Sequence, residues 1–191
     1  MTKRKGLLIV ISGPSGVGKD TLTHRLLERD PTLRYSVSYT TRAPRPGEVN
    51  GKDYSFVGRE EFERLVAKGE FLEHATYDGE LYGTSDKRVE AARQEGRDII
   101  LKIEVKGAEQ VRKKVKDAIF IFLKPPSMEE LVRRQEKRRS ESKAGMEARR
   151  KIAEKELTYA DRYDRVVVND EIERAVDEVQ AIIKQARERQ T

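Results

Sequence analysis

Short apolar runs alternate with helical patterns along most of the chain. Four runs are continuous and bounded by charged or turn residues, at 7–11, 99–103, 119–123 and 166–168, and a weaker one lies at 35–39. Continuous apolar runs of this length are typical of strands that are buried on both faces of a parallel sheet. The pattern therefore predicts a five-stranded parallel sheet at the centre of the protein.

Between these runs the apolar residues recur with helical spacing, at about 17–29, 86–95, 106–116, 127–160 and 171–189. Alternation of strands and helices is typical of an α/β fold in which right-handed crossovers cover the sheet with helices. We expect a three-layer α/β/α core. In such sheets the ligand binds beyond the carboxyl ends of the strands, so the residues there are the first candidates for chemistry.

The segment from 36 to 83 does not follow this alternation. It is rich in turn residues, and Asn50-Gly51 between two short alternating runs indicates a hairpin. A short helix is expected at about 60–68 and a strand around 71–77. We interpret the segment as a small, mainly β lobe inserted into the core.

A second irregular segment, 127–160, is helical and strongly basic. Ser127 and Glu130 resemble a capping box at its start. Because it has few apolar residues, it buries little surface, and we interpret it as a mobile helical lid. The chain is expected to form one domain, with a core at 1–35, 84–126 and 161–191, a lobe at 36–83 and a lid at 127–160.

A glycine-rich turn follows the first apolar run. Its residues are Gly13, Pro14, Ser15, Gly16, Val17, Gly18, Lys19, Asp20 and Thr21. A strand, such a turn and then a helix form a phosphate-binding loop, whose backbone N–H groups, helix dipole and lysine attract phosphate. A glycine-rich turn alone would indicate only a tight connection. Here the spacing and Lys19 favour binding of ATP, although Asp20 stands where the motif has Ser or Thr for magnesium.

Composition narrows the classes of partner. The chain has 40 Lys+Arg against 34 Asp+Glu, a net charge of +6, and the two signs are interspersed. This mixture favours an enzyme for polyanionic nucleotides over a nucleic-acid binder. The absence of cysteine excludes disulfides and thiolate metal sites. The first apolar run is too short for a signal peptide or a membrane span. We expect a cytoplasmic protein that binds neither nucleic acid nor membrane; the oligomeric state stays open.

Arg42 and Arg45 flank a proline turn within the inserted lobe. Two guanidinium groups fixed in this way suit bidentate binding of a second phosphate, and Tyr54 and Tyr82 are plausible hydroxyl donors to the same group. The alternative is that two arginines in a loop are simply solvated.

The chain resembles the guanylate kinase family over residues 6–183. The resemblance rests on the phosphate-binding loop together with long motifs in the lobe and core, namely SVSYTTRAPRPGE at 36–48, GKDYSFV at 51–57, FLE at 71–73, YGT at 82–84, IFLKPPS at 121–127 and YDRVVVND at 163–170. It implies the activity of the family, which is magnesium-dependent transfer of the ATP γ-phosphoryl group to GMP or dGMP.

The resemblance also implies roles for individual residues. The expected GMP-binding residues are Ser38, Arg42, Arg45, Tyr54, Glu73 and Tyr82, to which Thr84 and Glu104 are added. Guanine presents two adjacent donors, N1–H and N2–H₂, and an ionised carboxylate at Glu73 can accept both. Adenine has an acceptor at N1, so the same carboxylate would reject it.

On the donor side, the resemblance implies lid arginines that close over the ATP phosphates. These are Arg134, Arg138 and Arg149, and Asn169 matches a position near adenine. The residues expected to stabilise the transferring group are Lys19, Arg42, Arg138 and Arg149. Asp20 is the expected protein ligand of Mg²⁺, since a carboxylate is a hard oxygen donor.

The chain departs from the family pattern in the strand after the lobe. Lys102 and Glu104 stand where the family usually has Asp, and Lys106 replaces a usual Gln. Lys102 reverses a charge near the expected phosphates, and the sequence leaves open whether it contacts phosphate or points away.

Two other functions are compatible with parts of the sequence. Related ribose 1,5-bisphosphate kinases include some with Gly-Lys-Asp in the loop, which fits Asp20 but gives no reason for Glu73. Guanylate-kinase-like scaffold modules bind phosphopeptides without catalysis, but they typically lack the loop lysine, which this chain has at Lys19.

Overall fold

The protein is described here by a computed structural model that covers residues 4–77, 79–136 and 143–190, with only the backbone of 143–146. The strands are β1 Leu8–Ser12, β2 Arg34–Tyr35, β3 Tyr39–Thr40, β4 Ser55–Phe56, β5 Phe71–Tyr77, β6 Glu80–Ser85, β7 Ile99–Lys102, β8 Ile119–Lys124 and β9 Arg165–Val168. The helices are α1 Lys19–Arg29, α2 Arg59–Ala67, α3 Asp86–Gln94, α4 Val105–Lys114, α5 Met128–Glu136, α6 Lys143–Leu157 and α7 Ile172–Glu188, with a 3₁₀ turn at Ala160–Arg162.

A five-stranded parallel sheet forms the core, in the order β2-β7-β1-β8-β9. β1 lies in the middle of this sheet, and its five residues are all buried. β2 and β7 lie on one side of β1, whereas the later strands β8 and β9 lie on the other. The carboxyl end of β1 is therefore the place where the strand order reverses, and ligands bind at such a place in open α/β sheets. The predicted α/β class and the five-stranded parallel sheet are confirmed.

The side chains of β1 alternate between two apolar clusters. Leu8 and Val10 face a cluster that includes residues of α3 and α4. Ile9 and Ile11 face the other, which includes residues of α1, α5 and α7. Because consecutive strand residues point to opposite faces, a continuous apolar run is what burial on both faces requires. The sheet is therefore the middle of three layers, as predicted.

The inserted lobe contains a second sheet, in the order β4-β3-β6-β5, with α2 against it. The hairpin expected at Asn50-Gly51 is wrong, because β3 and β4 pair in parallel with Tyr39 opposite Ser55. Gly51 still makes a turn, at φ 79°. The antiparallel hairpin of the lobe is instead β5–β6, with Tyr77 opposite Glu80.

The weak strand predicted at 35–39 is divided between the two sheets. Tyr35 ends β2 in the core sheet, whereas Tyr39 begins β3 in the lobe. The apolar pattern could not show this, because the break at 36–38 comes from the chain leaving one sheet for another.

The predicted lid corresponds to α5 and α6, and residues 137–142 between them lie outside the description. Glu130 donates its backbone N–H to the Ser127 hydroxyl at 3.2 Å, so the predicted cap of α5 is present. In the part of the chain that is described, no helix is both long and apolar enough to cross a membrane.

Candidate active site

The glycine-rich loop joins β1 to α1 at the carboxyl edge of the core sheet. A Cβ at Gly13 would lie 2.2 Å from the Leu123 carbonyl oxygen, and one at Gly18 would lie 2.5 Å from Asn169 Nδ2. Both residues have positive φ, 147° and 105°, which side chains disfavour. The loop is therefore pressed against the ends of the neighbouring strands, and glycine is required at these two positions.

The helix that follows the loop begins without a side-chain cap at Gly18. Its first-turn N–H groups lie at the positive end of the helix dipole, which is a favourable place for an anion. Lys19 folds back over the loop, and its Nζ donates to the Gly13 and Pro14 carbonyls at 2.5 and 3.2 Å. The loop therefore combines a lysine with the amino-terminal end of a helix, as its predicted role in phosphate binding requires.

The lid helix α5 contacts the outer side of the loop. Arg134 Nη1 donates to the carbonyls of Val17 and Asn169 at 3.4 and 3.1 Å. Asn169 is buried, and its Nδ2 donates to Val17 at 2.7 Å. Gln135, which the sequence analysis did not single out, donates to the Ser15 carbonyl at 2.6 Å. The structure thus brings two predicted donor-site residues, Arg134 and Asn169, onto one face of the loop.

The other predicted lid arginines are differently placed. Arg149 lies on α6. Arg138 lies outside the described residues.

α6 also carries Glu156, a residue that the sequence analysis did not single out. Burial raises the pKa of Glu156 to about 7; the neighbouring carboxylate of Glu104 adds to this shift, and Lys19 opposes it. Nothing in the local sequence distinguished Glu156, because its neighbours Glu104 and Lys19 are distant along the chain.

Glu104 lies on the donor side as well as toward the lobe. It is the residue before α4, and its Oε1 is 3.6 Å from Lys19 Nζ. Its Oε2 is buried and has no hydrogen-bond partner among the described residues. Glu104 also contributes repulsion to the buried carboxylate of Glu73. The residue therefore lies at the junction of the donor and lobe sites.

In the lobe, Arg42 and Arg45 are held by a shared carboxylate. Glu48 accepts from Arg42 Nη2 at 2.8 Å through one oxygen and from the Arg45 backbone N–H at 2.7 Å through the other. The hydrogen bond from Arg42 lowers the pKa of Glu48, so this carboxylate stays ionised. The sequence motif contained Glu48, but its positioning role was not predicted.

The rings of Tyr54 and Tyr82 lie beside Arg42, and these three residues form one corner of the lobe, which we call the acceptor corner. The Arg42 guanidinium lies 5.4 Å from the centroid of the Tyr54 ring, and the rings of Tyr54 and Tyr82 are 6.0 Å apart. Burial raises the pKa of Tyr54 to about 12, so its hydroxyl keeps its proton and can donate it in a hydrogen bond. One guanidinium and two phenols in one corner match what phosphate binding requires.

Among the described residues of the lobe, Glu73 is the most deeply buried charged group, with 4% exposure. It lies opposite Thr84 in the β5–β6 pair, beside an irregularity in strand register, and accepts from Thr84 Oγ1 at 2.5 Å. A Cβ at Gly107 would lie 2.4 Å from Glu73 Oε2. Ser38 is also buried in the lobe. Burial raises the pKa of Glu73 to about 7, although the bond from Thr84 and the charge of Lys114 oppose the shift.

The second residue of α1, Asp20, is paired with a lysine. Its Oδ1 forms an ion pair with Nζ of Lys102, the last residue of β7. Asp20 was predicted as a magnesium ligand, and a magnesium ion there would share the carboxylate with an ammonium group. That role therefore stays a prediction.

The fold and the residues gathered at the carboxyl edge of its sheet define a class of enzyme. A glycine-rich loop with a lysine, between a strand of a parallel α/β sheet and a helix, is the arrangement of a phosphotransferase that uses a nucleoside triphosphate. The guanylate kinase family profile matches residues 5–186. The chain belongs to the guanylate kinase family, and it is an enzyme, a nucleoside monophosphate kinase.

Individual relatives agree with this assignment. The chain is 52% identical over 181 residues to guanylate kinase of Rubrobacter xylanophilus, covering 95% of both chains. It is 49% identical over 182 residues to guanylate kinase of Bacillus subtilis, covering 95% of this chain and 89% of the other. The crystal structure of guanylate kinase from Anaplasma phagocytophilum matches with a TM-score of 0.80 at 39% identity, over 97% of this chain and 88% of that one.

The fold is also similar to that of a solved structure with much lower sequence identity. Shikimate kinase from Bacteroides thetaiotaomicron matches at 14% identity with a TM-score of 0.51, over 93% of this chain and 98% of that one. This likeness concerns the fold only.

Proposed function

We propose that the protein transfers the γ-phosphoryl group of ATP to GMP or dGMP, giving ADP and GDP or dGDP. One observation carries the choice of acceptor, namely the burial of the Glu73 carboxylate in the lobe. Its ionised form accepts the N1–H and N2–H₂ donors of guanine, whereas adenine would place a lone pair against it. Relatives at about half identity are named guanylate kinases, which supports the same acceptor.

In the proposed reaction an oxygen of the GMP phosphate forms a bond to the γ-phosphorus. The bond from that phosphorus to the bridging oxygen breaks, and its electron pair stays on ADP. The acceptor oxygen already carries negative charge, so the step needs alignment and charge neutralisation more than a general base. Lys19 acts on the donor side and Arg42 on the acceptor side, and we propose that Arg138 and Arg149 add charge from the lid.

Mg²⁺ is proposed as the ion that accompanies ATP, where it supplies charge neutralisation at the phosphate oxygens. The described residues contain no group of three or more side chains suited to hold a metal. This agrees with the usual site for the ion, because Mg²⁺ takes most of its ligands from phosphates and water and few from protein carboxylates. Asp20 and Glu104 are two carboxylates near the loop that would fit this limited role, although Asp20 would share its carboxylate with Lys102.

The lobe separates this proposal from the two other functions. A ribose bisphosphate acceptor has no base, so it gives no reason for a buried carboxylate at the position that guanine N1–H and N2–H₂ would meet. A phosphopeptide module has no use for Lys19, whose Nζ lies within the glycine-rich loop.

The test is a coupled assay of ADP release with GMP, dGMP, AMP, UMP and ribose 1,5-bisphosphate as acceptors. We expect turnover with GMP and dGMP and little with the others. Equal turnover with AMP and GMP would overturn the role of Glu73. Turnover with ribose 1,5-bisphosphate alone would replace the proposed acceptor. Tight phosphopeptide binding without ATP binding would remove the kinase function.

A further inference from the structure

Asp20 and Lys102 form an ion pair that joins the first turn of α1 to the carboxyl end of β7. They are 82 residues apart in sequence. Lys102 lies at the carboxyl end of β7, opposite Ile11 of β1. The edge of the sheet therefore holds an ammonium group next to the first turn of α1, where phosphate is expected.

The ammonium group is enclosed by protein on one side. The Lys102 side chain is 18% exposed, whereas that of Asp20 is 64% exposed. Nζ of Lys102 lies 5.3 Å from the centroid of the half-buried Tyr35 ring. Burial would lower the pKa of Lys102, but the attraction of the Tyr35, Asp20 and Tyr54 oxygens outweighs it and raises the pKa, so the group stays charged.

The charge of the same ammonium group also reaches Tyr54 in the lobe. Lys102 and Asp20 both act electrostatically on Tyr54. Tyr54 lies beside Arg42 and Tyr82, the predicted ligands of the GMP phosphate. The charge of Lys102 thus acts on both the first turn of α1, which it contacts through Asp20, and the acceptor corner formed by Arg42, Tyr54 and Tyr82.

An ion pair at a surface has little value for stability, and here one partner is largely exposed. A carboxylate at the start of a phosphate-binding helix also repels phosphate. A structural role alone therefore gives a weak reason for this pair. Orientation of a cation toward phosphate gives a strong one, because Asp20 can hold the ammonium group through one N–H and leave other donors for phosphate oxygens.

We propose that Lys102 contacts phosphate at the junction of the donor and acceptor sites, and that Asp20 is the positioning residue that holds its ammonium group there. The inference rests on the proposed function only for the identity of the acceptor. In the transfer step Lys102 adds fixed positive charge as the bond to the acceptor oxygen forms and the bond to ADP breaks.

The test is calorimetric titration with a dinucleotide that joins adenosine and guanosine through five phosphates, and with ATP alone, each with magnesium and with chelator. Lys102→Met should weaken binding of the dinucleotide by about 10- to 100-fold, with the larger loss in chelator, because a charge-assisted bond to phosphate is lost. Lys102→Arg should keep most of the affinity. Lys113→Met, an exposed lysine at the far end of α4, is the control for loss of one positive charge.

The double variant Asp20→Asn, Lys102→Met separates phosphate contact from simple charge cancellation, because its net charge equals that of the wild type. We expect it to bind as weakly as Lys102→Met. Recovery of wild-type affinity would mean that Lys102 only neutralises Asp20, and it would overturn the proposal. Equal affinity of Lys102→Met and Lys113→Met for the dinucleotide would overturn it as well. A change in the melting temperature of either variant would not alter that conclusion.

The titration with ATP keeps the two proposals apart. If the wild type binds the dinucleotide no more tightly than ATP, the proposed acceptor is wrong. The ATP affinities of the wild type, Lys102→Met and the double variant then still decide whether Lys102 contacts phosphate.

Discussion

The hydroxyl of Thr84 donates a 2.5 Å hydrogen bond to Oε1 of Glu73, its cross-strand neighbour. The bond fixes one oxygen of a carboxylate that has 4% exposure, yet burial still raises the pKa of Glu73 to about 7. In the proposed reaction guanine needs the ionised form. Binding of GMP is therefore coupled to release of a proton near neutral pH.

We expect GMP to bind more tightly as the pH rises from about 6 to about 8, with a slope approaching about tenfold per pH unit below the pKa of Glu73. Calorimetry in buffers of different ionisation enthalpy measures both the affinity and the proton release. The GMP phosphate also loses a proton in this range, so Glu73→Gln is the control that reports the phosphate alone. The same pH dependence in both proteins would contradict the coupling.

Glu48 should support binding of the acceptor phosphate without touching the base. Glu48→Gln removes the charge that holds the Arg42 guanidinium and the Arg45 backbone N–H. The affinity for GMP should fall by about 10-fold, as expected for loss of a charge-assisted hydrogen bond. Guanosine, which has no phosphate, should bind as it does to the wild type. Competition titrations with both ligands check this, and Glu63→Gln on the exposed face of α2 is the matched control. An equal loss for guanosine would show that Glu48 supports the whole lobe instead.

Glu156 should oppose ATP in a pH-dependent way. Burial raises its pKa to about 7, so its negative charge beside Glu104 and Lys19 develops as the pH rises through that value. Glu156→Gln should therefore bind ATP several-fold more tightly than the wild type at about pH 8, with a smaller gain at about pH 6. Titration of both proteins with ATP in the presence of chelator measures this difference in affinity most clearly. Glu154→Gln, an exposed residue on the same helix, should show no such gain, and an equal gain at both pH values would contradict the account.

Gly18 should tolerate no side chain. Gly18→Ala places a Cβ 2.5 Å from Asn169 Nδ2 at a φ of 105°, so we expect ATP binding to be lost and stability to fall by about 1–3 kcal/mol. Gly58→Ala is the control, because its φ is −68° and a Cβ there meets nothing within 4 Å. ATP titration and denaturant unfolding measure the two effects. Unchanged ATP affinity in Gly18→Ala would contradict the close fit of the loop to β9.

The parts of the fold that could be predicted are those that follow from local pattern. The run at 7–11 predicts a doubly buried strand, because each of its residues must face one of two helical layers. The loop that begins at Gly13 could be predicted because its spacing, its lysine and its position between strand and helix all depend on residues near one another in sequence. The hairpin at Asn50-Gly51 failed because the strands on either side of it, β3 and β4, pair in parallel, which a local turn signal does not show.

The parts of the site that could not be predicted depend on distant residues. Gln135 reaches Ser15 across 120 positions, and Lys102 reaches Asp20 across 82. No periodicity or spacing marks such pairs. The carboxylate of Glu48 was visible in the motif, but its part in holding Arg42 depends on the turn geometry that only the folded loop provides.

The most direct test of the account is the ratio of kcat/KM for GMP to that for AMP, measured for the wild type and for Glu73→Gln, with Glu70→Gln as an exposed control. We expect a strong preference for GMP in the wild type and in the control. In Glu73→Gln the ratio should fall by about 10- to 100-fold, because an amide cannot accept both guanine donors. An unchanged ratio in Glu73→Gln would contradict the claim that this buried carboxylate selects the acceptor.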